Sequence, residues 1–331
     1  MRVLILTEGG SQIGLGHISR CSSLYDEIEG RGITVEFLIY GDISEYEIIR
    51  NRKYKVVNWL SEDFLTKYIK QNDYCIVDSY LANKGLFRDI SKLAKKALYI
   101  DDNGRIIYPK GIIVNPSLST EAVKYPKNDT NCYLLGPKYI ILRNPFIQVK
   151  REYINSQVKE VLITLGGSDI NNLTPGILKH LYRQNSDIIF NVVIGPAFKN
   201  MVELKSFNPK NIRFYENASA VEMKSIMLKS DLAITAVGQT IYELIATQTP
   251  FIPIKIIENQ SNNVAGLKEF NLVKKVLDSK DIDLLQKIEN EFNKLLCKNR
   301  RAEIVNMYNG VIDGLGSRRL IDILVDGKEV E

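Results

Sequence analysis

The chain has 331 residues, of which 45% are hydrophobic and 25% are charged, a balance typical of a soluble globular protein with room for two domains. Its formal charge of +5 is spread along the sequence, which argues against nucleic acid as a partner and is compatible with small anionic ligands. The four cysteines have no C-x-x-C spacing, the apolar N-terminal stretch is short, and no apolar run reaches eighteen residues. These features predict a cytoplasmic protein without a zinc site, a disulfide framework, a signal peptide or a membrane span.

Short β-branched apolar runs alternate with longer amphipathic segments, which is the pattern of parallel α/β domains. In the first half, the predicted strands are residues 3–6, 34–40, 55–59, 74–79, 97–101, 111–115 and part of 132–142. In the second half, they are residues 160–165, 188–195, 211–215, 232–236, 251–256 and 273–277. Near-continuous apolar runs of this kind predict strands that are covered on both faces. Helices are predicted between most of the strands, for example at 17–30 and 219–230.

A polar stretch without a strand pattern, residues 144–158, separates the two series. We therefore predict two Rossmann-like domains, residues 1–148 and 149–331, that face each other across a cleft. The last predicted helix, residues 316–327, is a candidate to cross back to the first domain. Ligands of doubly wound sheets bind at the carboxyl ends of the strands, so we expect the functional side chains in the loops after strands.

The first of these loops is EGGSQIGLGHISR, residues 8–20. Gly14 and Gly16 allow the backbone to turn sharply and to approach a ligand closely. His17 follows at the start of a predicted helix, whose dipole favours the neutral imidazole that a general base needs. The alternative is that His17 only caps the helix and packs. The glycines are not in the G-x-G-x-x-G order of a dinucleotide site, and His180 has the setting of an ordinary helix-surface histidine.

The second domain restarts with a strand followed by LGGSDINNLT, residues 165–174. Gly167 and Ser168 offer backbone N–H groups and a hydroxyl to an anion or a sugar. An equally good interpretation is a tight strand–helix turn in which Asp169 or Asn172 caps the helix.

A third loop, AVGQTIYELI at residues 236–245, also joins a strand to a helix. Gly238, Gln239 and Thr240 open that helix, and backbone amides there can hold a diphosphate. Glu243 lies one turn further, where it can accept hydrogen bonds from ribose hydroxyls. The alternative is that Glu243 is a solvated charge on the helix surface.

Three further stretches follow strands. In KIIENQSNN, the side-chain amides of Asn259 and Gln260 suit sugar hydroxyls or phosphate, with a plain polar turn as the alternative. In VDSY and IDDNGR, the residues that can shape a sugar pocket are Asp78, Tyr80, Asp101 and Asp102. The paired aspartates also suggest a metal, but no matching histidine or carboxylate cluster supports one.

The sequence contains, in this order, the stretches SQIGLGHISRC, IDDNGR, LLGPKYIILRNPF, LITLGGSD, AVGQTIYELI and ENQ. This pattern resembles the hydrolases that release UDP from UDP-2,4-diacetamido-2,4,6-trideoxy-β-L-altropyranose in pseudaminic acid biosynthesis, and the related spore coat polysaccharide proteins of glycosyltransferase type. Both groups are similar to glycosyltransferases of the GT-B architecture, including the N-acetylglucosaminyltransferase that makes lipid II. The resemblance covers about residues 1–325.

The resemblance implies that His17 positions or deprotonates the attacking water and that Tyr80 lies at the sugar site. It implies that the substrate and its UDP group are bound by Gly14, Gly16, Arg20, Gly167, Ser168, Gly238, Gln239, Thr240, Glu243, Asn259 and Gln260. It implies neither a metal nor a cofactor. The sequence RNPF replaces a more usual acidic R-x-E-F, which leaves the role of Arg143 open.

The implied activity is hydrolysis of a UDP-sugar by water that attacks the anomeric carbon. One alternative is a glycosyltransferase of the same fold, in which a hydroxyl of an acceptor replaces water. A second alternative is a nucleotide-sugar-binding subunit without catalysis. The implied partner is the UDP-sugar, without nucleic acid or a membrane span, and we expect a monomer or a weak dimer.

Overall fold

The computed structural model describes residues 1–10, 13–42, 47–119, 123–126, 129–195, 197–198, 203–204, 207 and 210–327. The chain forms two compact units, of which the first comprises Met1–Arg143 with Gly314–Glu331 and the second Asn144–Asp313. Each unit is built on one sheet in which every pairing between named strands is parallel. Helices flank these strands, which confirms the predicted α/β fold class.

The first unit has a sheet with the order β3-β2-β1-β4-β5-β6-β7. Its strands are β1 Arg2–Glu8, β2 Thr34–Tyr40, β3 Tyr54–Val56, β4 Asp73–Asp78, β5 Lys96–Ile100, β6 Gly111–Asn115 and β7 Asn131–Leu135. The strand order changes direction between β1 and β4, and this switch point is where a doubly wound sheet binds its ligand.

The helices of the first unit are α1 Gly16–Gly30, α2 Glu62–Tyr68, α3 Lys84–Leu93 and, from the end of the chain, α10 Gly316–Asp326. One face of the sheet packs against α1 and α10, and Leu320, Ile321 and Leu324 of α10 are fully buried in this core. The other face packs against α2 and α3 around Trp59 and Phe87.

The second unit has a sheet with the order β10-β9-β8-β11-β12-β13. Its strands are β8 Glu160–Thr164, β9 Ile189–Ile194, β10 Ile212–Glu216, β11 Leu232–Ala236, β12 Phe251–Lys255 and β13 Leu277–Asp278. Its helices are α4 Leu173–Leu181, α5 Ala220–Lys229, α6 Thr240–Ala246, α7 Ser261–Glu269, α8 Leu284–Leu295 and α9 Lys298–Tyr308. Across the described part of both units, no helix is long and apolar enough to cross a bilayer.

Two predicted strands differ from the structure by three residues or more at one end. The strand predicted at 55–59 ends at Val56, because Trp59 leaves the sheet edge, enters the core and donates its indole N–H to the Thr7 carbonyl at 2.8 Å. The strand predicted at 273–277 is reduced to Leu277–Asp278, and the lysines that precede it are exposed.

Candidate active site

Two glycines close the loop between β1 and α1 by pairing with each other through their backbones. Gly10 and Gly14 have φ angles of 145° and 85°, and they exchange two backbone hydrogen bonds, with N···O distances of 3.1 and 2.7 Å. A neighbouring glycine, Gly41 at the end of β2, also has a positive φ, and a Cβ atom there would lie 1.8 Å from the Gly9 carbonyl oxygen. Only glycine fits these positions, so the chain turns tightly and starts α1 at the switch point.

His17 lies in the first turn of α1 and faces two carboxylates. Its Nδ1 atom is 2.8 Å from Oδ1 of Asp78, the last residue of β4. Its Nε2 atom is 4.0 Å from Oε1 of Glu8, the last residue of β1. The ring of Tyr80 meets the imidazole edge-on, with 4.6 Å between the ring centroids. The carboxyl ends of two neighbouring strands therefore surround the histidine.

Asp78 is fully buried and receives hydrogen bonds on both oxygens. Arg20, one turn after His17 on α1, donates from Nε to Oδ2 at 2.6 Å and from Nη2 to Oδ1 at 2.7 Å. The Cys21 thiol adds a contact of 3.5 Å to Oδ2. Burial alone would raise the pKa of Asp78, but Arg20 and His17 outweigh it, and the pKa lies well below the usual range. Asp78 is therefore a permanent anion beside the imidazole.

An anionic Asp78 decides which ring nitrogen of a neutral His17 carries the proton. A carboxylate only accepts, so the Nδ1 atom beside it must donate, and Nε2 keeps the lone pair. Burial opposes the charge of the imidazolium, but Asp78 and Glu8 attract it, and the pKa of His17 is raised despite the opposing charge of Arg20. The two carboxylates therefore act against the helix dipole, which favours the neutral form.

Glu8 holds the loop that carries Tyr80. Its carboxylate is buried and accepts hydrogen bonds from the Ser79 hydroxyl, from the Tyr80 N–H at 2.7 Å and from the Leu81 N–H at 3.3 Å. The Tyr80 side chain is 41% exposed, and its hydroxyl donates to Asp102 Oδ2 at 2.9 Å. Burial and Asp102 raise the pKa of Tyr80, so the phenol stays neutral.

The two aspartates after β5 make different contacts. Asp101 is buried and accepts backbone N–H groups of Asn103 and Gly104 at 3.3 and 3.0 Å, so it shapes the turn. Asp102 points to α1, where both its oxygens lie 2.8 Å from Arg20 Nη1. Arg105 ties this turn to the previous loop, with hydrogen bonds of 2.9 Å to the Ser79 carbonyl and 3.1 Å to the Ala82 carbonyl.

The loop after β8 has an exposed part and a buried part. Gly167 and Ser168 are exposed beyond the end of the strand. Asp169 is buried and accepts the N–H groups of Leu173 and Thr174 at 3.0 and 2.8 Å. The Asp169 side chain thus caps the start of α4, although Asn172 holds the N-cap position, and this capping is what one of the two interpretations of this sequence expected.

The loop after β11 places Gln239 at the surface and buries Glu243 in the first turn of α6. The alternative of Glu243 as a solvated helix charge is therefore wrong. Asn263 of α7 supports this loop, because it donates to the Val237 carbonyl at 3.1 Å and accepts from the Tyr242 hydroxyl at 2.7 Å. Asn263 was not among the predicted site residues, although it lies only one turn beyond the ENQ stretch.

In the loop after β12, Asn259 is exposed while Gln260 turns back. The Gln260 Oε1 atom accepts the N–H groups of Ile256 and Ile257 at 2.8 and 3.4 Å. Because β8, β11 and β12 are neighbours in the sheet, the three loops lie side by side at one edge of the second unit. His17, Arg20 and Tyr80 come together in the first unit. Among the described residues of either unit, no three His, Cys, Asp or Glu side chains are placed so that they could hold a metal ion.

Several curated proteins are similar to the chain in sequence. Over 299 residues, the chain is 29% identical to the pseudaminic acid cytidylyltransferase and UDP-2,4-diacetamido-2,4,6-trideoxy-β-L-altropyranose hydrolase of Helicobacter pylori, with 88% of this chain and 52% of that protein aligned. It is 25% identical to the Campylobacter jejuni hydrolase of the same substrate name, over 81% of this chain and 96% of that protein. SpsG, a spore coat polysaccharide biosynthesis protein of Bacillus subtilis, is 23% identical over 79% of both. The chain is thus similar over most of its length to these hydrolases and to this spore coat polysaccharide protein.

The chain spans about half the length of the Helicobacter protein and of protein MJ1062 of Methanocaldococcus jannaschii, which is 30% identical over 76% of this chain and 55% of that protein. No family model matches the chain.

Solved structures of glycosyltransferases share the fold. MurG of Acinetobacter baumannii superimposes with a TM-score of 0.66 at 12% identity over 98% of this chain and all of that one. The calicheamicin glycosyltransferase CalG4 gives a TM-score of 0.61 at 12% identity over 97% and 96%. The chain therefore has the GT-B fold that its motifs predicted.

Proposed function

We propose that the chain is a nucleotide-sugar hydrolase that releases UDP from UDP-2,4-diacetamido-2,4,6-trideoxy-β-L-altropyranose or a related diacetamido sugar. The observation that carries the proposal is the hydrogen bond between His17 and Asp78, because it leaves Nε2 as the proton acceptor. The substrate is taken from the names of the Helicobacter and Campylobacter relatives.

In the proposed step, a water oxygen attacks the anomeric carbon of the sugar while His17 Nε2 takes a proton from that water. The bond between the anomeric carbon and the diphosphate oxygen breaks, and its electron pair leaves with UDP. A general base of this kind contributes roughly 10²–10⁴-fold to the rate. The partly exposed phenol of Tyr80 lies beside the imidazole, where it can contact the sugar.

We assign the binding of UDP to the exposed loops of the second unit. Backbone N–H groups at Gly167 and Ser168 can stabilise the charge that develops on the leaving diphosphate, so a metal ion is not required. We also assign Gly238 to the UDP-sugar as a residue of the neighbouring loop, where its own N–H group donates to the Ala236 carbonyl at 2.8 Å. The further residues that we assign to the UDP-sugar are Gly14, Gly16, Gln239, Thr240, Glu243, Asn259 and Gln260. The absence of a metal requirement and a cytoplasmic location belong to the same proposal.

The test is release of UDP from the diacetamido-altrose nucleotide without any acceptor, in the presence of a chelator. Turnover that is unchanged by the chelator supports the proposed hydrolase. Binding of UDP without turnover would reject it in favour of a transferase that awaits its acceptor or of a binding subunit. Turnover that stops with the chelator would reject independence from metals.

A glycosyltransferase is the second candidate, favoured by the relative that acts in spore coat polysaccharide biosynthesis. The same His17 would then remove the proton from an acceptor hydroxyl, and UDP would leave in the same way. The two candidates separate when UDP release is measured with and without a hydroxyl acceptor, because only the transferase depends on one.

A further inference from the structure

Arg20 is a buried residue whose guanidinium is hydrogen-bonded to carboxylates of the protein. Its side chain is 7% exposed, and all three of its nitrogens donate to carboxylates. Nε and Nη2 bind Asp78 at 2.6 and 2.7 Å, and Nη1 lies 2.8 Å from both oxygens of Asp102. Bidentate pairs of this kind are the strongest hydrogen bonds of arginine. A ligand phosphate would have to displace a carboxylate to reach this group.

The charges around Arg20 also disfavour a diphosphate. Glu8, Asp78 and Asp102 bring three carboxylates to His17 and Arg20, within hydrogen-bond or ion-pair distance. An anion that approached Arg20 would be repelled by these groups, and buried like charges repel strongly because the local dielectric is low. An uncharged part of a substrate, such as a sugar ring with its water, does not meet this repulsion.

The contacts of Arg20 close a ring of five residues. His17 contacts Asp78, Asp78 contacts Arg20, Arg20 contacts Asp102, and Asp102 accepts from the Tyr80 hydroxyl. The Tyr80 ring then returns to His17 through the edge-on contact of 4.6 Å. Arg20 therefore holds both the proposed base His17, through Asp78, and the exposed phenol of Tyr80, through Asp102.

We propose that Arg20 and Asp102 are positioning residues that hold His17 and Tyr80 as one unit, and that Arg20 is not a ligand of the diphosphate. The ring links the carboxyl ends of β4 and β5 to the first two turns of α1. The catalytic role of this unit rests on the proposed function, whereas the arrangement of its five residues is independent of that function.

The first test separates a ligand from a positioning residue by UDP affinity, measured by calorimetry on the full chain with Arg20→Gln. We expect the dissociation constant of UDP to change less than about 2-fold while kcat for UDP release falls at least about 10²-fold, the lower end of what a general base supplies. The matched control is Arg88→Gln, at an exposed arginine of α3, which should change neither quantity. Loss of UDP affinity by a factor of about ten or more in Arg20→Gln would overturn the proposal.

The second test needs no substrate. The chain has only two histidines, so proton and nitrogen NMR can follow the titration of His17 directly, with His180→Gln as the assignment variant. The charged or titratable groups that face His17 are Glu8 from β1, Arg20 from α1, and Asp78 and Tyr80 from the end of β4 and the following loop. Arg20→Gln removes a positive charge that opposes the imidazolium, so the pKa of His17 should rise.

Asp102→Asn provides a variant that keeps the pair of Arg20 with Asp78 and is therefore expected to fold. If the ring acts as a unit, this variant shifts the His17 titration although Asp102 does not touch the imidazole. It should also lower kcat about as much as Tyr80→Phe does, and the double variant should lose no more than either single variant.

An unchanged His17 titration in both Arg20→Gln and Asp102→Asn would reject the proposal, whatever the activity. If wild-type protein releases no UDP but the titrations shift as expected, the proposed function fails and this inference stands.

Discussion

At the scale of the residue, the site depends on an imidazole that lies between two carboxylates. Asp78 fixes the proton on Nδ1, and Glu8 adds a second negative charge 4.0 Å from Nε2. Together they raise the pKa of His17 and make Nε2 a stronger base, but they also extend the pH range in which it is already protonated.

This electrostatic setting predicts opposite pH dependences for activity and stability. The value of kcat/KM should be low below the raised pKa of His17, rise with pH through it, and reach a plateau above it, because only the neutral imidazole accepts a proton. The contribution of His17 to stability has the opposite sign: it is complete below the unfolded-state pKa of about 6.5 and is lost as the pH rises through the folded-state pKa. Rate profiles and urea unfolding at a series of pH values measure both. A stability term from His17 that grows as the pH rises through this range, judged against His17→Gln, would contradict the account.

The role of Asp78 predicts a specific effect of Asp78→Asn. The variant keeps the shape of the side chain but loses the charge, so the pKa of His17 should fall and the acid limb of the kcat/KM profile should move to lower pH. The rate on the plateau should drop by roughly 10²–10⁴-fold, because the imidazole loses its fixed tautomer. Asp89→Asn on α3 is the control. An acid limb that moves to higher pH would refute the assignment.

At the scale of the element, the strands were predictable because each is a compact apolar run between turn residues. The strand predicted at 55–59 is shorter in the structure because its end is determined by contacts with residues that are distant in the sequence. Trp59 leaves the predicted strand because the Thr7 carbonyl and the core accept it. The partners of His17 and Arg20 were equally hidden, since Asp78 lies 61 residues after His17, Asp102 lies 82 residues after Arg20, and both reach α1 only through the sheet order.

The loop at the switch point predicts an unequal response to two glycine substitutions. Gly41→Ala should destabilise the protein by at least about 1–3 kcal/mol, because its φ angle of 134° is unfavourable for alanine and the new Cβ meets the Gly9 carbonyl. Gly30→Ala in α1 has no neighbour within 4 Å of the new Cβ and should be neutral or stabilising by up to about 1 kcal/mol. Urea unfolding compares the two variants, and an equal loss of stability in both would contradict this explanation of the loop.

At the scale of the whole molecule, the polypeptide that completes the first unit comes from the end of the chain. Helix α10 supplies Leu320, Ile321 and Leu324 to the core on which α1 rests, and α1 carries His17 and Arg20. The integrity of the site therefore depends on residues that are about 300 positions away in the sequence.

This dependence predicts that Leu320→Ala loosens the first unit selectively. Removal of a fully buried leucine costs about 2–5 kcal/mol, so amide hydrogen exchange should accelerate in β1, α1 and β4. Exchange in β8 and β11 of the second unit should stay unchanged. Leu285→Ala, at a leucine of α8 that is 36% exposed, is the control and should leave the first unit unaffected. Equal acceleration in both units would contradict the separate description of their cores.

The central claim is that His17 activates water for attack on the anomeric carbon, and labelled water tests it most directly. UDP release from the diacetamido-altrose nucleotide is followed in oxygen-18 water by mass spectrometry of both products, with wild type and His17→Ala side by side. We expect label on the sugar and none on UDP, and a His17→Ala variant that still binds UDP but loses turnover. Label on UDP, or full turnover by His17→Ala, would contradict it.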